Sequence, residues 1–168
     1  MKKFNIPYDI EEVEDRGNWL KNTSYKSEFI RKKLDKYDRL VWIDADATIE
    51  KYPVLFDLIE EDFAANYEYL KKLISATLLF KRTDYILKVV DSWVTKSKAN
   101  FDKLEQVHLQ DSINGYYTEA HKITVFYLPD SYCCLDGLTY CEPVIAQHQA
   151  SRKFRNADIR AIFNKFNP

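Results

Sequence analysis

Apolar and polar positions change period several times along the chain. Arg39-Leu40-Val41-Trp42-Ile43 is a short continuous apolar run, and Ile74 to Phe80 reads as another strand. Runs of this length predict strands covered on both faces, as in a parallel sheet. Elsewhere the spacing is helical. Ile30 and Leu34 share one face of a helix carrying Glu28 to Leu34, with Thr23 and Ser24 as candidate caps. Thr83 and Asp84 can cap a helix whose stripe is Ile86, Val89, Val90, Trp93 and Val94. Pro53 suits the first turn of a short helix, a further helix is expected around Gln106 to Ile113, and Ala157 to Phe166 predicts a terminal one. Ile6 to Val13, Lys122 to Leu128 and Pro143 to Ala146 read as shorter strands. Strands alternating with helices predict an α/β sandwich with a mostly parallel sheet, a single domain over residues 1–168.

Composition narrows the function. Lys and Arg number 25 against 26 Asp and Glu, a net charge of −1, which argues against nucleic-acid binding. No apolar run is long enough to span a bilayer, and Met1 to Pro7 lacks the apolar core of a signal peptide. Cys133, Cys134 and Cys141 form neither a disulfide framework nor a C-x-x-C zinc pattern, so a reducing cytoplasm is expected. Glycine is scarce: there are 3, at Gly17, Gly115 and Gly137, where average usage would give roughly 12. Their separation excludes a glycine-rich phosphate loop, so any phosphate must be held by other means.

The chemistry-bearing stretch is Leu40-Val41-Trp42-Ile43-Asp44-Ala45-Asp46-Ala47-Thr48. Asp44 and Asp46 are two apart beyond a strand, so in extended backbone they point to one side. Two such carboxylates repel unless a cation lies near them, and carboxylate oxygens suit hard cations such as Mg²⁺ or Mn²⁺. The bland alternative is a solvated acidic turn. Asp44, Asp46 and Thr48 also match the D-x-D-x-T of haloacid-dehalogenase-like phosphatases, but that family's later acidic G-D-x-x-x-D-type motif is absent.

A second resemblance covers nearly the whole chain. Val41 to Ala47 looks like the metal-binding D-x-D strand of GT-A-fold glycosyltransferases, and Gly17-Asn18-Trp19 through Tyr25-Lys26-Ser27-Glu28 is similar to the stretch preceding it in small bacterial and phage members. Ser75-Ala76-Thr77 followed by Leu78 to Phe80 resembles the segment lining the donor-sugar site. Glu105-Gln106-Val107-His108-Leu109-Gln110 is similar to the D-Q-x-x-L-N pattern of family-eight-like members, with Glu105 where an Asp is usual. Pro143 to Arg152 resembles the closing strand.

The resemblance implies a GT-A-like Rossmannoid sandwich and a hexosyltransferase-like enzyme moving a sugar from a nucleotide-diphosphate donor to an acceptor. It implies Asp44, Asp46 and His148 as ligands of Mn²⁺ (or Mg²⁺), and Glu105 and Gln106 as catalytic residues near the sugar. Lys26, Ser75, Ala76, Thr77, Arg152 and Lys153 are implied as substrate-binding residues. The chemistry is coherent, because a divalent ion held by two carboxylates and an imidazole neutralises a diphosphate leaving group without a glycine loop. His108 and His121 read as surface or helix-packing residues. Strict alternation would put Ser75 and Thr77 on one face of their strand. Members of this fold usually open with a strand and helix that build the base pocket, and the pattern here starts downstream of them. Weak donor affinity is therefore expected, with three outcomes open for the sheet: the remaining strands close the gap, another chain fills it, as in a homodimer, or the gap stays open and the protein is marginal. The alternative function is a non-catalytic remnant that binds a nucleotide sugar.

Overall fold

The computed structural model describes residues 2–69, 71–118 and 121–149. In chain order the elements are α1 (Trp19–Leu34), β1 (Arg39–Ile43), β2 (Ala47–Ile49), α2 (Leu55–Leu58), β3 (Phe63–Glu68), β4 (Lys72–Lys81), α3 (Asp84–Ala99), α4 (Glu105–Tyr116), β5 (Tyr117–Thr118), β6 (His121–Lys122), β7 (Val125–Tyr127), β8 (Cys134–Leu135) and β9 (Ile145–Gln147). The helix expected over Ala157 to Phe166, and Arg152 and Lys153, lie outside the described residues.

The main sheet has the order β1-β4-β3-β7, and β2-β9-β8 form a second, smaller sheet. The expectation of a mostly parallel sheet is corrected: β4 runs antiparallel to both β1 and β3, and only the β3–β7 pair in the main sheet is parallel. The cause is connection length. β3 and β4 are joined by a short turn, which permits only antiparallel pairing, whereas β7 is reached through α3 and α4, long enough for a parallel crossover. No strand was expected at β3 from its sequence. β1 keeps its expected limits but is only half-buried beyond Arg39, because it stands at the end of the main sheet.

Strand alternation sorts the core into two layers. Phe63, Ala65, Leu78 and Phe80 meet Ile30 and Leu34 of α1, Val89 and Trp93 of α3, and Leu109 of α4. Ala64 and Leu79 face the other way, onto Phe56, Leu128, Tyr132 and Ile145. Both faces of β3 and β4 are therefore covered.

The α3 expectation holds in detail. The Thr83 hydroxyl accepts from the Ile86 amide at 3.2 Å, and Ile86, Val89, Val90 and Trp93 are buried. α1 starts earlier than expected. Gly17, at φ +87°, turns the chain so that the Asn18 side chain accepts from the Lys21 amide at 2.9 Å, leaving Thr23 and Ser24 inside the helix. Residues 6–13 form no strand. Their acidic side chains instead hold the segment along α1, with Asp9 2.7 Å from the Lys33 ammonium and Glu11 also on it.

Candidate active site

The site forms where β1 ends, beside an irregularity in β4. Opposite β3, the β4 register jumps from Leu78 (facing Ala65) to Ile74 (facing Asn66), so Ser75, Ala76 and Thr77 bulge out of the ladder. Their carbonyls and hydroxyls then serve other elements. The Ala76 carbonyl accepts from the Asp44 amide at 2.9 Å and from Gln147 Nε2 at 3.1 Å. The Ser75 carbonyl accepts from Lys26 Nζ at 3.0 Å. The alternation that would align Ser75 with Thr77 is interrupted here. Ser75 Oγ donates to Glu105 Oε1 at 2.6 Å, while Thr77 Oγ1 accepts from Gln147 Nε2 at 2.9 Å.

A buried ionic cluster sits on this bulge. Lys26 projects from α1 and places Nζ 2.9 Å from Asp44 Oδ1 and 3.0 Å from Glu105 Oε1. The Ser75 carbonyl, and more distantly Ser75 Oγ at 3.4 Å, complete the acceptors around its three N–H donors. Burial disfavours the ammonium, but attraction to Glu105 and Asp44 outweighs it and holds the Lys26 pKa above the usual lysine range. Burial pushes the Glu105 carboxyl upward, opposed by Lys26 and by the Ser75 hydroxyl. Glu105 opens α4, whose start is tied to α3 by Trp93 Nε1 donating to the Glu105 carbonyl at 2.9 Å. Gln106 follows it, half-buried. His108 is buried with Nε2 2.9 Å from the Asn100 carbonyl, a helix-packing role.

Asp44 is further fixed by Trp42 Nε1, which donates to Oδ1 at 2.7 Å from two residues upstream on the same strand face. Cys133 lies near Asp44 and bonds Thr77. Burial first, and the Asp44 charge second, push its thiol up to about 12. Two buried acceptors here have no partner among the described residues: Glu105 Oε2 and Gln147 Oε1.

The antiparallel pairing of β2 with β9 sets Ala47 against Gln147. One position beyond, the His148 amide donates to the Asp46 carbonyl at 3.2 Å, so His148 meets the acidic turn although it is distant in sequence. The imidazole is held at both nitrogens, with Nδ1 3.0 Å from Asp136 Oδ2 and Nε2 3.0 Å from Thr48 Oγ1. Among the described residues, no three His, Cys, Asp or Glu side chains are grouped as a ready cage for a metal ion.

The fold resembles that of a solved glycosyltransferase. The crystal structure of a glycosyltransferase involved in the glycosylation of the major capsid of PBCV-1 superposes with a TM-score of 0.60, covering 88% of this chain and 82% of that chain at 14% identity. The fold is that of a glycosyltransferase. No family model and no curated protein matches the sequence. Within this glycosyltransferase fold, five participants were not singled out from sequence: Trp42, Cys133, Asp136, Gln147 and the Thr48 hydroxyl as a histidine partner. Trp42 alone carried a local signal, its i, i+2 spacing from Asp44. The others reach the site through strand pairing.

Proposed function

We propose that this chain is a GT-A-type glycosyltransferase that moves a sugar from a nucleotide-diphosphate donor with the help of Mn²⁺ or Mg²⁺. The observation that carries the reading is the meeting of the Asp44–Asp46 turn with His148, beside a buried Glu105 whose second oxygen has no partner among the described residues. Sugar hydroxyls are hydrogen-bond donors, and a buried acceptor without a partner is stabilised by gaining one.

The donor set fits a divalent cation that arrives with the nucleotide. Such ions are commonly held by one or two carboxylates, with substrate phosphates completing the shell, so a preformed cage is not needed. Asp46 and His148 would hold it, His148 through Nε2 in exchange for its Thr48 contact, with Asp44 alongside and fixed by Lys26 and Trp42. When bound, the ion would neutralise charge developing on the departing diphosphate. His148 nitrogen chemistry favours Mn²⁺ over Ca²⁺. Lys26 acts through Glu105 and Asp44, keeping the buried Glu105 and the partly exposed Asp44 in place. Glu105 and Gln106 face the sugar, with the Ser75–Thr77 bulge as its floor; Arg152 and Lys153 would serve the phosphates.

The test is release of nucleoside diphosphate from a panel of nucleotide sugars with and without Mn²⁺. Mn²⁺-dependent release supports the reading. No release, and no thermal stabilisation by any of the donors, would refute it. Asp136→Asn is expected to weaken Mn²⁺ binding about 10- to 100-fold, because a carboxylate on Nδ1 orients a ligating imidazole and raises its basicity. Titration of Mn²⁺ in the donor-hydrolysis assay reads this directly, and an unchanged half-saturation would separate His148 from the metal.

A further inference from the structure

A shallow groove of about 280 Å³ opens between α2 and the edge strand β7, over the core layer opposite α1, α3 and α4. Leu55, Leu58, Ile59 and Phe126 line it, with Glu60 and Glu61. Leu58 is 66% exposed and nearby Val54 50%, both beside Phe56 of the core. Clustered exposed apolar side chains, unlike scattered ones, mark an interaction surface. The groove is open and lies below the usual size of a small-molecule pocket, which suits side chains presented by another polypeptide element.

Its charge narrows the occupant. Neither glutamate carboxylate makes an ion pair among the described residues. Glu61 accepts from the Glu60 amide at 3.1 Å, and Lys81 Nζ donates to the Glu60 carbonyl, also at 3.1 Å, rather than to its carboxylate. An apolar stripe flanked by cations would therefore fit both parts of the lining.

The chain carries such a stripe in residues 150–168, which lie outside the described residues. In the helix expected over Ala157 to Phe166, Ile159, Ile162, Phe163 and Phe166 recur at i, i+3, i+4 and i+7, on one face. At 100° per residue, Arg160 and Lys165 fall on the two sides of that face. Arg152, Lys153 and Arg155 precede them, and Asp158 is the one acidic side chain in 150–168.

The path of the chain permits the meeting. Ile145 of β9 belongs to the same core cluster as Leu55, Phe56, Ile59 and Phe126. Further on, Gln149 has φ +49°, which turns the chain off the line of β9, and its side chain donates to the Asp136 carbonyl at 3.0 Å. The stretch from Ile145 to Gln149 covers roughly 13 Å when extended. Residues 150–156 can span at most about 25 Å, enough to return to the groove. So short a tether also gives the stripe an effective concentration on the order of mM. We infer that the α2–β7 groove is the docking site of this chain's own residues 157–166. The Ile159–Phe166 stripe lies against Leu58 and Phe126, and its flanking cations lie beside Glu60 and Glu61. Docking fixes both ends of the segment that carries Arg152 and Lys153, and the inference does not rest on the transferase reading.

The test uses the full chain labelled with ¹³C at Ile and Leu methyl groups. Nuclear Overhauser contacts from Ile159 or Ile162 to Leu55 or Leu58 are expected. Trypsin cleavage after Arg160 then reads the docked population. Leu58→Asp and Phe163→Asp should each speed it by about tenfold or more, since each removes a large apolar contact. The double variant should be no faster than either single one, because both changes break one interface. Absence of the contacts, or cleavage that Leu58→Asp leaves unchanged, would overturn the inference. So would protection that grows with protein concentration, which would place the stripe on a second copy. Ile159 and Ile162 signals that broaden with phosphatidylserine vesicles, without contacts to Leu55 or Leu58, would assign the stripe to a membrane surface and overturn it too.

Discussion

Lys26→Met is expected to destabilise the protein by about 3–5 kcal/mol, the usual consequence of removing one partner from a buried ionic cluster. The Lys26 side chain is 8% exposed and faces Asp44 and Glu105 together. Without the ammonium, Glu105 is a buried carboxylate left with the Ser75 hydroxyl, and protonation is its remedy. The sign of the pH effect follows. A carboxyl whose folded pKa lies above its unfolded value stabilises fully below the unfolded value and loses that contribution as pH rises. In the variant the Glu105 pKa moves further up, so the deficit should be largest near neutral pH and shrink as pH falls towards the ordinary carboxylate range. In the wild type, Lys26 itself is raised, so its contribution persists below the ordinary lysine value of 10.5 and is lost only at more alkaline pH. Urea unfolding across this range measures both trends. Adding Glu105→Gln to Lys26→Met should recover part of the loss, a coupling that a double-mutant cycle reports. Independent, additive losses would mean that the ion pair is not the unit that holds α1 to α4.

Asp46→Asn is expected to lower Mn²⁺-dependent donor turnover by about 100-fold or more. Loss of a residue that only supports a metal ligand typically costs about 10- to 100-fold, and a ligand itself should exceed that. The substitution is nearly isosteric at a half-exposed turn, so folding stability should change by less than about 1 kcal/mol. Raised Mn²⁺ should restore part of the turnover, because a weakened site refills by mass action. The measurement is donor hydrolysis over a Mn²⁺ series beside a thermal melt of the free protein. Wild-type turnover in a well-folded variant would remove Asp46 from the chemistry. A large fall in melting temperature would instead assign its carboxylate to holding the fold of the turn.

Local pattern carried the elements whose stabilising contacts are near in sequence. β1 was legible as an apolar run, α3 as a stripe behind the Thr83 cap, and the start of α4 near Gln106 as a change to helical spacing. The Asp44–Asp46 turn was legible for the same reason, since it directly follows that run. Elements held by distant partners were not legible in this way. Residues 6–13 alternate like a strand, yet Asp9 and Glu11 find Lys33 on α1 and the segment stays outside the sheet. Alternation through Ser75 and Thr77 fails because the β3 partner slips by a bulge, which depends on another strand's register. Strand direction in the sheet was misjudged because apolar content reports burial on both faces but not the sense of the neighbour.

The sequence by itself determined where the four helices and the strands β1, β4, β7 and β9 form and which side chains can carry charge, because those depend on spacing and side-chain type. Tertiary structure alone decided that Lys26 joins Asp44 to Glu105 and that Asp136 and Thr48 hold the His148 ring. Each of these is a meeting of separate elements. Which groups meet is set by how two core layers pack and how strands register, and that information is distributed over the whole chain.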